Sequence, residues 1–337
     1  MRRIMEKEDQ FIGCLLGCAI GDALGAPIEN WSREKILALD NLTSYFRECH
    51  HKKTREKPFP LGQCTDDTQL TIAVVKGILS SGDVHGGAIA SEFVKLWQSG
   101  EIVGQGKVAD NAVKRLIEGV PWDEAALAND KPWNGAAMRI APVGLWDHEH
   151  ATNLEDDVFK ASVITHRHPR AISGALAIGA AVAFVVSQTK FSVEEFVDSV
   201  ANAVMKQDED LAEHILLIKK WVSLSDTEVL AAIDSIMLED SRLSLKEHNW
   251  FGIPVSTEPT VLMALYAFLK SPNNYLETVE RALRAGGDVD TTAAIAGSIS
   301  GAFNGVSALP IGLAEKVMYS SEIRSLGKRL YQAWEAR

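Results

Sequence analysis

Two short acidic segments are the residues of this chain best suited to chemistry. The first reads Gly62-Gln63-Cys64-Thr65-Asp66-Asp67-Thr68 and the second Gly286-Gly287-Asp288-Val289-Asp290-Thr291-Thr292. Each lies where a helical pattern begins, so each places two carboxylates and a neighbouring hydroxyl at a loop-to-helix junction. A single junction of this kind is ordinarily structural, because Asp and Thr at a helix start cap amides and complement the macrodipole. A pair of them reads differently. Four aspartates sharing one cavity would repel and have raised pKa values unless a divalent cation offset their charge. An all-oxygen set of Asp and Thr suits a hard ion, Mg²⁺ or Mn²⁺, better than Zn²⁺.

The cysteines offer no competing ligand set. Cys14, Cys18, Cys49 and Cys64 form no Cys-x-x-Cys pair, and four thiols in 337 residues are not a disulfide framework. Cys14 and Cys18, four apart in an apolar stretch, read as small core residues on one helix face.

The elements that must position the acidic junctions are helical almost throughout. Periodicity predicts helices over about 9–25, 66–80, 86–98, 106–118, 152–164, 170–187, 193–205 and 209–222. Further helices are expected over about 226–237, 257–269, 273–284, 290–303 and 321–335, and Ser32 caps another running to about Leu39. Ser192 with Glu195, and Ser225 with Glu228, fit the capping box. Pro169 and Pro272 fit first-turn prolines. Gly13, Gly17 and Gly21 recur every fourth residue in the first helix, a spacing that permits close backbone approach. Residues 43–63, with Pro58 and Pro60, lack periodicity. No linker or fixed repeat divides the chain, so residues 1–337 are expected to form a single all-α domain.

Composition bounds the function. Hydrophobic residues make up 46% and charged residues 23%, which provides a large core and excludes intrinsic disorder. The net charge of −11 disfavours a polyanion-binding surface, so no nucleic-acid partner is expected. Acidic residues before the first apolar run argue against a signal peptide, and the uncharged stretch from Gln10 to Gly21 is too short to span a bilayer. These features point to a cytoplasmic protein with no membrane association. Cys49-His50-His51-Lys52-Lys53-Thr54-Arg55 is a local basic island, read first as a solvated loop and second as a steering patch for an anion.

Five motifs in order give the chain a family resemblance. They are Gly21-Asp22-Ala23-Leu24-Gly25 with Glu29 following, Thr65-Asp66-Asp67-Thr68, Asn134-Gly135-Ala136-Ala137-Met138-Arg139, Thr165-His166-Arg167-His168-Pro169, and Gly287-Asp288-Val289-Asp290-Thr291 with Gly297 and Gly301. In these the chain resembles the ADP-ribosylglycohydrolases, nearly from end to end. The resemblance implies an all-α fold, a compact orthogonal multi-helix bundle, with two Mg²⁺ or Mn²⁺ ions at the base of a cleft. It implies metal ligands at Thr65, Asp66, Asp67, Asp288, Asp290 and Thr291. In that family the metals engage the hydroxyls of the ribose that is cleaved and position a water. Glu29 matches the family's catalytic or gating glutamate, on a loop able to move, and Asp22 reads as a supporting or structural residue.

For the rest of the ligand, Gly104 and Gly106 could present amides to a phosphate at a helix start. Other members carry Asp-Ile-Gly and downstream threonines there, where this chain has Gly104, Val108 and Ala109. Asn134, Gly135 and Met138 match the loop on the ribose and adenine side. His166 matches a residue facing the diphosphate, while a helix-capping role also suits the His-x-His pair. Trp133 fits either a base-stacking or a self-packing role. The implied reaction is hydrolysis of the bond between the distal ribose and an acceptor on a protein or small molecule, releasing ADP-ribose. A catalytically inactive ADP-ribose-binding module and a metal-dependent nucleotide phosphoesterase are the alternatives.

Overall fold

The computed structural model describes residues 6–48, 59–127, 131–188, 190–239 and 252–337, so the basic island and Cys49 lie outside the described residues. Among the described residues there are sixteen α-helices and no strand beyond isolated bridges. In chain order they are α1 (Lys7–Gly25), α2 (Arg33–Leu37), α3 (Asp66–Ser81), α4 (Gly86–Ser99), α5 (Lys107–Ile117), α6 (Ala141–Trp146), α7 (Ala151–Val163) and α8 (Pro169–Ser187). The second half holds α9 (Val193–Val204), α10 (Glu209–Trp221), α11 (Asp226–Glu239), α12 (Thr257–Lys270), α13 (Tyr275–Arg284), α14 (Val289–Asn304), α15 (Ile311–Ala314) and α16 (Ser320–Glu335). The all-α expectation holds, and most boundaries agree with the periodicity within two residues.

The differences have local causes. α6 reads Ala-Pro-Val-Gly-Leu-Trp and is buried on every side, so it shows no polar face for a periodicity to reveal. α15 is only four residues long. Ser225 and Glu228 close a full capping box, with Glu228 accepting from the Ser225 N–H at 2.8 Å and Ser225 Oγ accepting from the Glu228 N–H at 3.3 Å. Ser192 makes only half of one: its hydroxyl accepts from the Glu195 N–H but donates to the Glu194 carboxylate. Pro272 is not a first-turn proline, because Asn274 caps α13 and Pro272 lies in the turn before it.

The central feature is the antiparallel contact of α1 with α14. Gly13, Gly17, Gly21 and Gly25 put one bare face of α1 against Gly301, Gly297, Ala293 and Asp290 of α14. A Cβ at Gly17 would lie 2.2 Å from the Gly297 carbonyl oxygen, one at Gly21 2.1 Å from that of Ala293, and one at Gly25 2.3 Å from Asp290 Cα. Tyr275 of α13 seals the contact by donating to the Gly17 carbonyl at 2.7 Å. Because the helices run antiparallel, the start of α14 lies beside the end of α1. Asp290 is therefore placed near Asp22 and the turn that carries Glu29.

Two helices, α1 with the turn after it and α8, are long and apolar enough to cross a bilayer, but these windows are 89% and 78% buried within the protein. Their apolarity is spent on the core. Away from the cleft, Phe184, Phe191, Phe196, Phe268 and Phe303 fill that core with edge-on ring contacts.

Gly21→Val is expected to cost on the order of 3 kcal/mol or more in denaturant unfolding, since the added atoms meet rigid backbone. Gly312→Ala, where a Cβ meets nothing within 4 Å, should leave stability unchanged or slightly raised. Equal effects of the two substitutions would show that the α1–α14 contact is looser than described.

Candidate active site

The start of α3 is held by a residue from another helix. Thr65 occupies the N-cap position, yet its side chain makes no capping bond. Asp22 of α1 performs that task, accepting the Thr65 and Thr68 N–H groups at 2.9 and 3.2 Å and their hydroxyls at 2.8 and 2.5 Å. With its amides satisfied from α1, α3 can present Asp66 and Asp67 to a cleft instead of using them as caps.

The start of α14 is fixed by three crossing segments. Gly287 accepts from the Asn30 N–H at 2.7 Å and donates to the Trp31 carbonyl at 2.8 Å. On its other side, the Ile253 N–H donates to Gly286 at 2.9 Å and the Asp288 N–H to Ile253 at 2.7 Å. Gly287 has φ +81°, and a Cβ there would lie 2.1 Å from the Ile253 carbonyl oxygen, so glycine is required on both counts. This stitching tethers the backbone directly after Glu29, so Glu29 sits on a pinned turn, not the mobile loop expected from sequence. One oxygen each from Glu29, Asp288 and Asp290 lies within 4.8 Å of the others.

The two acidic junctions, more than 200 residues apart in sequence, share one cleft of about 210 Å³. Glu29, Asp66, Asp67, Asp288, Asp290 and Thr291 line it, and the Thr291 hydroxyl lies 3.5 Å from Asp67 Oδ2, linking the junctions directly. Gly104, Gly106, Asn134, Gly135, Met138 and His166 line it as well. Thr65 does not; its hydroxyl is engaged with Asp22 and, at 3.2 Å, with Asp67 Oδ2. Asn134 uses its side-chain amide to hold Asp288 at 2.6 Å and Thr260 at 2.9 Å. His168 caps α8 by accepting the Arg170 N–H.

Sequence reasoning passed over several residues. Lys107 and Val255 also line the cleft; neither belongs to a motif, and Val255 arrives through the pairing of 131–134 with 254–257. Gln69 is the more consequential omission. Its amide nitrogen donates to the Glu101 carbonyl at 2.8 Å and to the Tyr319 hydroxyl at 3.1 Å, and its oxygen accepts the Val103 N–H at 2.9 Å. The clamp fastens the loop before Gly104 and Gly106 to α3, the helix that carries Asp66 and Asp67. A glutamine one turn past an acidic junction was the available signal.

The floor is electrostatically unsatisfied. Burial pushes the Asp66 carboxyl up to about 7, with Asp22 and Asp288 adding repulsion. Burial likewise raises Asp22 and Asp288 to about 6, and lifts Asp67 and Asp290 well above the ordinary carboxylate range. The N-termini of α3 and α14 point their partial positive charge at this region but do not cancel it. Asp67 Oδ1 and Asp290 Oδ1 are buried without any hydrogen-bond partner among the described residues. Buried orphan carboxylate oxygens need an explanation. A hard divalent cation fits: Asp66, Asp67, Asp288, Asp290 and Glu29 offer carboxylate oxygens, and Thr291 a hydroxyl.

An all-helical frame with such an acidic cleft is the architecture of an ADP-ribosyl hydrolase, and the family is established by sequence. The pattern of the ADP-ribosylglycohydrolase family matches residues 4–337, and the chain belongs to that family, whose members are glycosidases acting on ADP-ribosylated substrates. It is 30% identical over 330 residues to an uncharacterized protein of Archaeoglobus fulgidus, covering 96% of this chain and 97% of that one. It is 28% identical to the ADP-ribosyl-[dinitrogen reductase] glycohydrolase of Rhodospirillum rubrum, over 92% and 90% of the two chains. A solved structure described as an ADP-ribosylglycohydrolase-related protein complex shares the fold, with TM-score 0.70 at 21% identity over 97% of this chain and 99% of that one.

Two measurements check this site. In metal-free protein the raised carboxyl pKa values make the folded form bind more protons than the unfolded chain between about pH 4 and 7, so their contribution to stability falls as pH rises through that window. The gain in Tm on adding Mg²⁺ is accordingly expected to grow from about pH 5 to about pH 8. A gain independent of pH would remove these carboxylates from the cation site. Gln69→Leu should raise KM for an ADP-ribosylated substrate by about tenfold and also lower Tm, because the Glu101 carbonyl and the Val103 N–H lose their partner. An unaltered KM would show that the 101–106 loop does not depend on the clamp.

Proposed function

We propose that this chain is a divalent-metal-dependent hydrolase that cleaves the glycosidic bond between the distal ribose of ADP-ribose and its acceptor, releasing ADP-ribose. The observation that carries this reading is the convergence of both acidic junctions on one cleft, with Asp67 Oδ1 and Asp290 Oδ1 buried and unpartnered. We assign the cofactor as two ions, Mg²⁺ or Mn²⁺, held by the carboxylates of Asp66, Asp67, Asp288 and Asp290. When bound, they would offset the carboxylate charge, orient a ribose diol and lower the pKa of a water.

The protein's own contribution is positioning and proton transfer. Asp22, through Thr65 and Thr68, and Asn134, through Asp288, hold the carboxylates in place. Glu29 is half-buried while the four aspartates are buried, so it stands on the side from which water enters. Its role is to hold that water and take up its proton as the bond to the acceptor breaks. The transition state has the oxocarbenium character of glycoside hydrolysis, and ions held by Asp66, Asp67, Asp288 and Asp290 would supply the electrostatic support that a second carboxylate gives in the usual pair.

The direct test incubates the protein with ADP-ribosylated arginine and serine peptides, with and without Mg²⁺, and identifies products by mass spectrometry. Metal-dependent release of ADP-ribose is expected from at least one acceptor. No release from either by folded, metal-loaded protein overturns the hydrolase reading, and AMP as product reassigns the chemistry to the diphosphate. Glu29→Gln should lower kcat by about 10²–10⁴ while retaining Mg²⁺ affinity within about tenfold. Loss of metal binding together with activity would instead make Glu29 chiefly a ligand.

A further inference from the structure

Beside the cleft lies a buried cation that the proposed chemistry does not use. Arg139 has no exposed surface, and among the described residues it forms no ion pair. Its guanidinium lies over the Phe93 ring at 5.1 Å and donates to the Gly135 carbonyl at 2.5 Å, the Ala161 carbonyl at 3.2 Å and the Thr165 hydroxyl at 2.7 Å.

The direction of the last bond decides a second one. A guanidinium can only donate, so Thr165 Oγ1 is the acceptor and its own hydrogen must go elsewhere. Thr165 is fully buried, and the other hydrogen-bond partner of its hydroxyl is His166 Nδ1 at 2.7 Å. If the hydroxyl hydrogen points at Nδ1, that nitrogen accepts and the ring hydrogen sits on Nε2. The reverse arrangement would leave a buried hydroxyl hydrogen with no acceptor.

The Nε2 edge faces the cleft. The ring lines it, and a Cβ at Gly135 would lie 2.8 Å from Nε2, so the glycine that Arg139 holds by its carbonyl also makes room for this edge. Among the described residues Nε2 has no hydrogen-bond partner, in a side chain only 3% exposed. A ring nitrogen without a protein partner that opens onto the cleft is available to a ligand there.

We propose that Arg139 and Thr165 are positioning residues that fix His166 in the Nε2–H tautomer, as an uncharged hydrogen-bond donor to an acceptor oxygen of bound ADP-ribose. The last clause rests on the reading of the cleft given under Proposed function. An uncharged donor suits a site that must also hold cations, because it meets an oxygen without repelling nearby ions. Burial and the Arg139 charge hold the imidazole well below its ordinary pKa, which keeps the ring neutral.

The test is nitrogen NMR of the full chain labelled with ¹⁵N-histidine, one of whose nine histidines is assigned to position 166 by its loss in His166→Gln. The wild-type ring is expected to show Nδ1 unprotonated and Nε2 protonated at neutral pH, with no variant needed for that reading. Thr165→Val, which keeps the shape but removes the hydroxyl, should shift the ring towards the Nδ1–H form and weaken ADP-ribose binding by about tenfold in calorimetry with Mg²⁺ present. Thr165→Ser should restore both. A wild-type proton on Nδ1, or a Thr165→Val protein with unchanged tautomer and affinity, overturns the proposal. The expected tautomer in a protein that binds no ADP-ribose would uphold the relay and overturn the reading of the cleft.

Discussion

Backbone-to-backbone contact between α1 and α14 constrains everything in the cleft. Four glycines of α1 facing Gly301, Gly297, Ala293 and the backbone of Asp290 let the axes approach until a single added Cβ would collide with main-chain atoms. Because the contact is antiparallel, it leaves no choice about which ends meet. The end of α1, with Asp22 and the turn to Glu29, is brought to the start of α14, with Asp288 and Asp290. Asp22 then recruits the start of α3 by capping it from outside. Three helix ends are thus locked together by packing and hydrogen bonds that leave Asp67 Oδ1 and Asp290 Oδ1 unengaged.

That division of labour allows so much negative charge to be buried. Acidic residues at a helix start usually satisfy its amides, and would then be unavailable to a ligand. Here Asp22 takes over the capping of α3, and the 30–31, 253 and 286–288 crossing fixes the entry to α14 through backbone groups alone. Asp66, Asp67 and Asp290 are left as buried carboxylates with raised pKa values, an arrangement that opposes folding in the absence of a counter-charge. The α1–α14 contact and the capping of α3 by Asp22 hold this unfavourable electrostatics in place.

The walls follow the same logic of indirect support. Gln69 ties the glycine loop to the helix of the acidic floor, and Asn134 ties the opposite sequence region to Asp288. Arg139 reaches both Gly135 and Thr165, so one side chain ties the loop to the residue that contacts the histidine on this wall. Asp288 and the loop before Gly104 are each backed by a buried polar side chain from another segment.

How much of this was legible along the chain depends on range. Helices such as α9, α10 and α13 were readable because one-sided burial imposes a period, whereas α6, six residues long and buried all round, left none. The residue types at the two junctions announced a concentration of carboxylates at helix starts, and Gly13, Gly17 and Gly21 announced a close helix contact. The sequence by itself therefore determined the helical class and the acidic character of the cleft. Only the tertiary structure decided that Asp22 caps α3, that the Thr65 hydroxyl is shared between Asp22 and Asp67, that Glu29 sits on a pinned turn, and that Gln69 and Arg139 stand behind the walls. Each of those depends on a partner tens to hundreds of residues away, and a hydrogen bond's choice of partner is settled by packing, which no local pattern records.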